Sequence, residues 1–121
     1  MNPLLIQLLV ELGKTLAPEV GKLLVSLVHY LSAELQAATD AVGHDATSHM
    51  MSEIKGAILG LDRDYPQMSG DDKRIMGWAC IRQAYHDAGL SEPSGKMCDG
   101  LIAMVLADAN VGAWRQEEGE Q

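Results

Sequence analysis

The sequence predicts an all-α fold, a compact bundle of about five helices. Three observations support this class. Apolar residues recur three and four positions apart along most of the 121 residues, no segment alternates apolar and polar residues, and helix-capping residues separate the periodic stretches. The connections between these stretches are short, which favours one bundle. We therefore expect residues 1–116 to form a single domain, followed by a polar acidic tail at 117–121.

The first two predicted helices form an apolar pair in residues 1–43. Asn2 and Pro3 are typical of a helix start, and Pro18 begins a second helix that ends before Gly43. Both helices carry apolar residues outside their main stripe, which indicates burial from more than one side. We therefore expect these helices to form an oligomer interface, most simply in a two-fold dimer. The residues expected at this interface are Leu5, Leu8, Leu9, Leu12, Leu24 and Val28.

A third helix is predicted after Gly43. Its candidate caps are Asp45, Thr47 and Ser48. Its glycines, Gly56 and Gly60, are four residues apart, and this spacing predicts the close approach of a neighbouring helix. The stretch 62–68 that follows is the least regular part of the chain and is predicted to be a connector.

The fourth helix has the clearest start, because Ser69 precedes Asp71 and Asp72 in a first turn where the helix dipole favours carboxylates. Gly89 suits a left-handed ending. The inner face of this helix is expected to contain Ile75, Trp78, Ile81, Tyr85 and Ala88. A fifth helix is expected to be capped by Ser91 or Ser94 and to bury Met97, Cys98, Leu101, Ile102, Met104 and Val105.

The composition limits the classes of function. There are 17 Asp and Glu against 9 Lys and Arg, a net charge of -8, which disfavours direct contact with nucleic acid or with anionic membranes. The apolar N-terminal stretch has no basic start and is interrupted by charges, unlike a secretory signal or a membrane-spanning helix. Cys80 and Cys98 stand beside apolar residues, as buried reduced thiols do. These observations predict a cytoplasmic protein.

Sequence motifs for catalysis are absent. The chain has neither a Gly-x-Ser-x-Gly nucleophile motif nor a glycine-rich phosphate loop. We therefore predict a non-enzymatic protein with no catalytic residue, cofactor or metal site. One alternative stays open, a metal-dependent enzyme in which His44, Asp45, His49 and His86 converge, although a spacing of five residues does not place His44 and His49 on one helical face.

The acidity is greater in the second half of the chain. Residues 1–61 hold 6 acids and 3 bases, and residues 62–121 hold 11 acids and 6 bases. An acidic surface there would steer a basic protein surface into contact. The residues expected to bind such a partner are Asp62, Arg63, Asp64, Tyr65, Asp71 and Asp72.

In size, charge and helical character the chain resembles the small acidic binding proteins that mobile genetic elements use as inhibitors or accessories. The apolar surplus of the first two helices and the net charge of -8 together predict a homo-oligomeric module that engages a basic protein, such as one that binds nucleic acid, and acts as its inhibitor or accessory. A second alternative is a membrane-surface or lysis-type accessory protein that inserts residues 3–31.

Overall fold

The computed structural model describes residues 18–114, with the side chains of residues 25–114. These residues form helices α1 (Pro18–Val42), α2 (His44–Asp64), α3 (Gly70–Asp87) and α4 (Gly95–Asp108). No strand occurs in this part of the chain, and the all-α prediction is confirmed. The predicted first helix, the interface leucines Leu5, Leu8, Leu9 and Leu12, the side chain of Leu24 and the acidic tail all lie outside the described residues.

Helices α2 and α4 form the centre of the bundle, because each of them contacts the other three described helices. Helices α1 and α3 lie on either side of this central pair. The core is aliphatic and rich in Met, and its largest fully buried side chains are Leu31, Leu35, Met50, Ile54, Ile58, Ile81, Met97, Leu101 and Leu106. Met50, Met97 and Met104 occupy core positions, in a chain that contains no Phe.

Val28 is 0% exposed and belongs to this core. Helix α1 packs against both α2 and α4, so Val28, which lies outside its main stripe, is covered by the chain itself, whereas Val25 is 38% exposed. A second copy of the chain could not reach Val28 in this arrangement. Packing within one chain therefore explains why Val28 is apolar, and an oligomer is not needed to bury it.

Serine caps begin two of the helices, as predicted. The Ser69 hydroxyl accepts a hydrogen bond from the Asp72 amide, and the Ser94 hydroxyl accepts one from the Met97 amide, both at 3.1 Å. Helix α3 ends at Asp87, and the φ of 83° at Gly89, two residues further on, allows the Leu90 amide to donate to the carbonyl of Tyr85. These bonds satisfy backbone groups that helix ends leave without partners.

Helix α2 begins differently from its prediction. Its N-cap is Gly43, with φ of 96°, and no side chain caps it. A single residue joins α1 to α2, so the three candidate caps lie within the first turns of the helix. Thr47 is buried there, and its hydroxyl donates to the carbonyl of Gly43 at 2.9 Å.

The glycines that allow close helix packing are not the predicted pair. A Cβ at Gly56 would have no neighbouring atom within 4 Å, and one at Gly60 would have only the Arg63 guanidinium, at 3.9 Å. A Cβ at Gly100 would instead lie 2.9 Å from Leu31, and one at Gly77 would lie 3.1 Å from Ile102. These two positions let α4 approach α1 and let α3 approach α4.

Candidate partner-binding surface

Helix α3 buries Ile81 and Tyr85 as predicted, but its inner face also contains residues that its sequence does not indicate. Gly77 has no side chain, so the helix packs closely at this point, and Lys73, Gly77 and Ile81 line its inner face. Ile75 was expected on that face but is 65% exposed, and Met76 is exposed beside it. The prediction for Ile75 is wrong because Lys73 and Gly77 occupy the buried face, and neither residue type indicates burial in a sequence.

Lys73 is almost fully buried and reaches Asp62 at the end of α2. Its Nζ lies 3.6 Å from Asp62 Oδ1, and the same oxygen accepts a hydrogen bond of 3.0 Å from the indole N–H of Trp114. The ring of Trp114 also packs over Gly77. Asp62, predicted to bind a partner, therefore joins α2, α3 and the segment that follows α4.

Trp78 lies between two arginines on the side of α3 that faces α4. The guanidinium carbons of Arg74 and Arg82 lie 4.6 and 5.0 Å from its ring centroid. Asp99 accepts two hydrogen bonds from Arg74, at 2.8 and 2.9 Å, and one from the Trp78 indole, at 2.7 Å. The bonds from Arg74 hold the pKa of Asp99 below its usual range. Arg82 Nε lies 3.1 Å from Glu92 Oε1, without hydrogen-bond alignment.

The bases of the described region are all engaged by neighbouring side chains. Residues 25–114 contain 12 acids and 6 bases. Five of the bases lie within 4 Å of a carboxylate, in the pairs Lys55–Asp108, Arg63–Asp64, Lys73–Asp62, Arg74–Asp99 and Arg82–Glu92. The sixth, Lys96, lies 4.1 Å above the ring of Tyr30. The charge that remains for a partner in this part of the chain is therefore negative.

One exposed face of α3 combines apolar and acidic side chains. We call it the α3 outer face, and it consists of Asp72, Ile75, Met76, Ala79, Gln83 and Asp87, all of them exposed. Its apolar middle lies between carboxylates, because Asp72 is in the first turn of α3 and Asp87 is its last residue. The Gln83 amide donates to Asp87 Oδ1 at 2.8 Å.

The other predicted binding residues lie around the connection between α2 and α3. Arg63 donates two hydrogen bonds to Asp64, at 2.8 and 3.1 Å, and lowers the pKa of that carboxyl. Tyr65 is 50% exposed and Asp71 is half-buried, while Asp72 belongs to the α3 outer face. The sequence reasoning missed Ile75 and Met76. Their spacing of three and four residues from Asp72 indicates that the three side chains share one side of α3. Whether that side is exposed depends on which side of the helix is buried.

The metal alternative is not supported by the geometry. His44 Nδ1 lies 3.7 Å from Asp45, while His49 Nε2 pairs with Glu53 at 3.1 Å on the next turn of α2. His86 is exposed near the end of α3. Within the described residues, no three His, Cys, Asp or Glu side chains are grouped so that they could hold a metal ion.

The two cysteines are free thiols, Cys98 buried and Cys80 half-buried. Burial raises the pKa of the Cys98 thiol. This thiol is thus protonated at neutral pH and is a poor nucleophile.

The membrane alternative involves residues 3–31, of which the structure shows the side chains from 25 onward. Val28 and Leu31 are fully buried in the bundle and are not available to a lipid surface. None of the helices in the described part of the chain combines the length and the apolar character needed to cross a bilayer.

Comparison of the chain with protein-family models, with curated proteins and with solved structures gave no match in any of the three. The class that the described residues define is a helical bundle whose bases are engaged internally and whose third helix exposes an acidic and apolar face. The functional argument therefore depends on this face.

Proposed function

We propose that this protein is a cytoplasmic, non-enzymatic binding module that engages a protein with a basic surface and acts as an inhibitor or accessory of that protein. The observation that carries the proposal is the α3 outer face, on which exposed Ile75 and Met76 lie between exposed carboxylates. Apolar side chains surrounded by polar and charged ones are typical of protein-binding surfaces.

The charge distribution supports a basic partner. Acids outnumber bases by two to one in residues 25–114, and those bases are engaged within the chain. A surface of this kind attracts Lys and Arg side chains and accelerates encounter with them. Proteins that bind nucleic acid present such side chains to phosphates. An acidic module that covers them would compete with the nucleic acid and inhibit its binding.

Capture of partners from a lysate of the native cell tests the proposal. The bait is the full chain, compared with the variant Ile75→Ser/Met76→Ser and with Val25→Ser, which removes an exposed apolar side chain on α1. We expect the wild type and Val25→Ser to retain a basic protein that the double variant loses. We also expect its recovery to fall with added salt, since screening weakens charge attraction. Equal recovery by all three baits, or recovery of acidic proteins only, would contradict the proposal.

The proposal includes a homo-oligomer, most simply a dimer, held by the N-terminal leucines named above. Its support is the apolar surplus of residues 4–16, which the sequence places on more than one helical face. Light scattering on the purified full chain is the test. We expect a dimer at micromolar concentration and a monomer for Leu8→Glu/Leu12→Glu. A monomeric wild type would refute this part and leave the binding surface on α3 unaffected.

A further inference from the structure

We infer that the element which binds the α3 outer face is a cationic amphipathic helix of the partner, packed along α3. This inference rests on the proposed function and specifies the kind of segment that is recognised. It follows from the spacing of the exposed residues, from the position of the charges, and from the engagement of the bases on α3.

The spacing of the face is that of a helix-packing stripe. Asp72, Met76, Ala79 and Gln83 follow one another at intervals of four, three and four, so they lie in one row along the helix. Ala79 is exposed at the middle of this row, and its small side chain lets a second helix axis come close. From Asp72 to Asp87 the row is about 22 Å long, which matches about four turns of a partner helix.

The charges along this row define the partner helix. Asp72 lies at one end, Asp87 lies at the other, and the apolar Ile75 and Met76 are closer to the first. Helix α3 also contains three bases, so its sequence alone is neutral. Their side chains bind elsewhere, in the pairs Lys73–Asp62, Arg74–Asp99 and Arg82–Glu92. A complementary helix thus carries apolar residues in its middle and Lys or Arg at both ends.

Charge also argues against two other segments that could cover the α3 outer face, a second copy of the chain and its own residues 3–16. A second copy carries the same net charge of -8 and would bring carboxylates against carboxylates. The apolar stretch 3–16 holds one acid, Glu11, and one base, Lys14, so it offers no surplus of positive charge. Only a basic segment complements both ends of the row.

The test uses designed peptides as probes against the full-length protein. The first is a 16-residue helical peptide with a central leucine stripe and lysines near both ends. A second peptide of the same composition has its leucines spread around the helix. Binding is measured by fluorescence anisotropy, and the site is mapped from backbone NMR shifts of the labelled protein. We expect the striped peptide to bind about ten times more tightly than its permuted control, with shifts concentrated on α3.

Protein variants show whether the peptide lies along α3. Ala79→Gln adds bulk without charge in the middle of the row, and we expect it to weaken binding about tenfold, as Ile75→Ser should. Asp72→Asn should weaken binding and reduce its salt dependence. Val25→Ser and Asp40→Asn, which alter an exposed apolar side chain and an exposed carboxylate on α1, are matched controls and should bind like the wild type.

The outcomes separate this inference from the proposed function. If Ala79→Gln binds the striped peptide as the wild type does, or if the permuted peptide binds equally well, no helix packs along α3 and the inference is overturned. The proposed function would still stand if capture from the lysate depended on Ile75 and Met76. Self-association that Ile75→Ser abolishes would identify a second copy as the occupant, and this result would also overturn the inference.

Discussion

The backbone of Gly95 lies directly against the ring of Trp78. A Cβ at position 95 would be 2.6 Å from the ring carbon Cη2, closer than unstrained contacts allow. The ring is held on other sides by the guanidinium of Arg74 and by the hydrogen bond from its indole to Asp99. The missing side chain at Gly95 therefore determines how closely α3 and the start of α4 approach each other.

The first prediction follows from this contact. Gly95→Ala is expected to lower the free energy of unfolding by about 2 kcal/mol, because a rigid ring with fixed neighbours has to move. Gly56→Ala is the matched control, since its Cβ would point into open space within α2. It should raise stability by about 0.5–1 kcal/mol, the difference in helix propensity. Urea unfolding measures both, and equal stabilities of the two variants would refute the packing argument.

A second prediction concerns the ion pair of Lys73 and Asp62. Asp62→Asn leaves the ammonium of an almost fully buried lysine without its counter-charge, so we expect a loss of about 2 kcal/mol in the free energy of unfolding. Adding Lys73→Met to the Asp62→Asn variant removes the unpaired charge and keeps much of the buried side-chain stem. The double variant should therefore recover part of the lost stability. A double-mutant cycle from urea unfolding measures the coupling of the two side chains. Additive effects would show that the pair contributes nothing.

A third prediction concerns alkaline pH. Burial raises the pKa of Tyr85 to about 12, above the usual phenol value of 10.0. The folded state therefore holds this proton more tightly, and its contribution is present below pH 10 and is lost as the pH rises toward 12. Between about pH 9 and about pH 11 the free energy of unfolding should fall by about 1 kcal/mol more in the wild type than in Tyr85→Phe.

Tyr65→Phe is the control for this measurement, because it removes an exposed phenol from the same protein. It should show the same alkaline loss as the wild type. A loss that persists in Tyr85→Phe would assign the effect to other groups.

A fourth prediction compares two isoleucines of α3. Ile81 is 0% exposed and Ile75 is 65% exposed. Ile81→Ala should lower the free energy of unfolding by about 3 kcal/mol through the cavity that it leaves, and Ile75→Ala by about 0.5 kcal/mol or less. Thermal unfolding followed by circular dichroism is sufficient to detect the difference. Similar losses at both positions would mean that Ile75 is also buried and that α3 is rotated about its axis.

The predictable parts of the fold have strong local signals. The residues around Ser69 and Gly89 predict a helix start and a left-handed helix end, and Ser94 is one of the two caps predicted for α4, with Ser91 as the other. The buried residues of α4 that were predicted, from Met97 to Val105, followed from the spacing of the apolar residues in that helix. Local chemistry determines these features, and one sequence contains it.

Helix α3 was predictable only in part, since Ile81 and Tyr85 are buried as expected but Ile75 is not. Its inner face contains Lys73 and Gly77, and both are buried for reasons that lie elsewhere in the chain: Asp62 supplies the counter-charge, and Ile102 and Trp114 fill the space above the glycine. The apolar Ile75 consequently faces outward. The acidity of the candidate surface was equally hard to predict, since it depends on the pairing of the bases of α3 with carboxylates outside that helix. Tertiary contacts determine which face of a helix is buried and which bases are paired, and the local sequence pattern does not contain this information.

The connection between α1 and α2 has a consequence for the insertion of extra residues. Gly43 alone joins two helices of 25 and 21 residues. One added residue there would rotate α2 by about 100° about its axis, since a helix turns through that angle at each residue. Met50 and Ile54 would then leave the core. The longer connection at 65–69 can absorb an extra residue by changing its path. Length variation in this bundle is thus tolerated beside the candidate surface and excluded at Gly43.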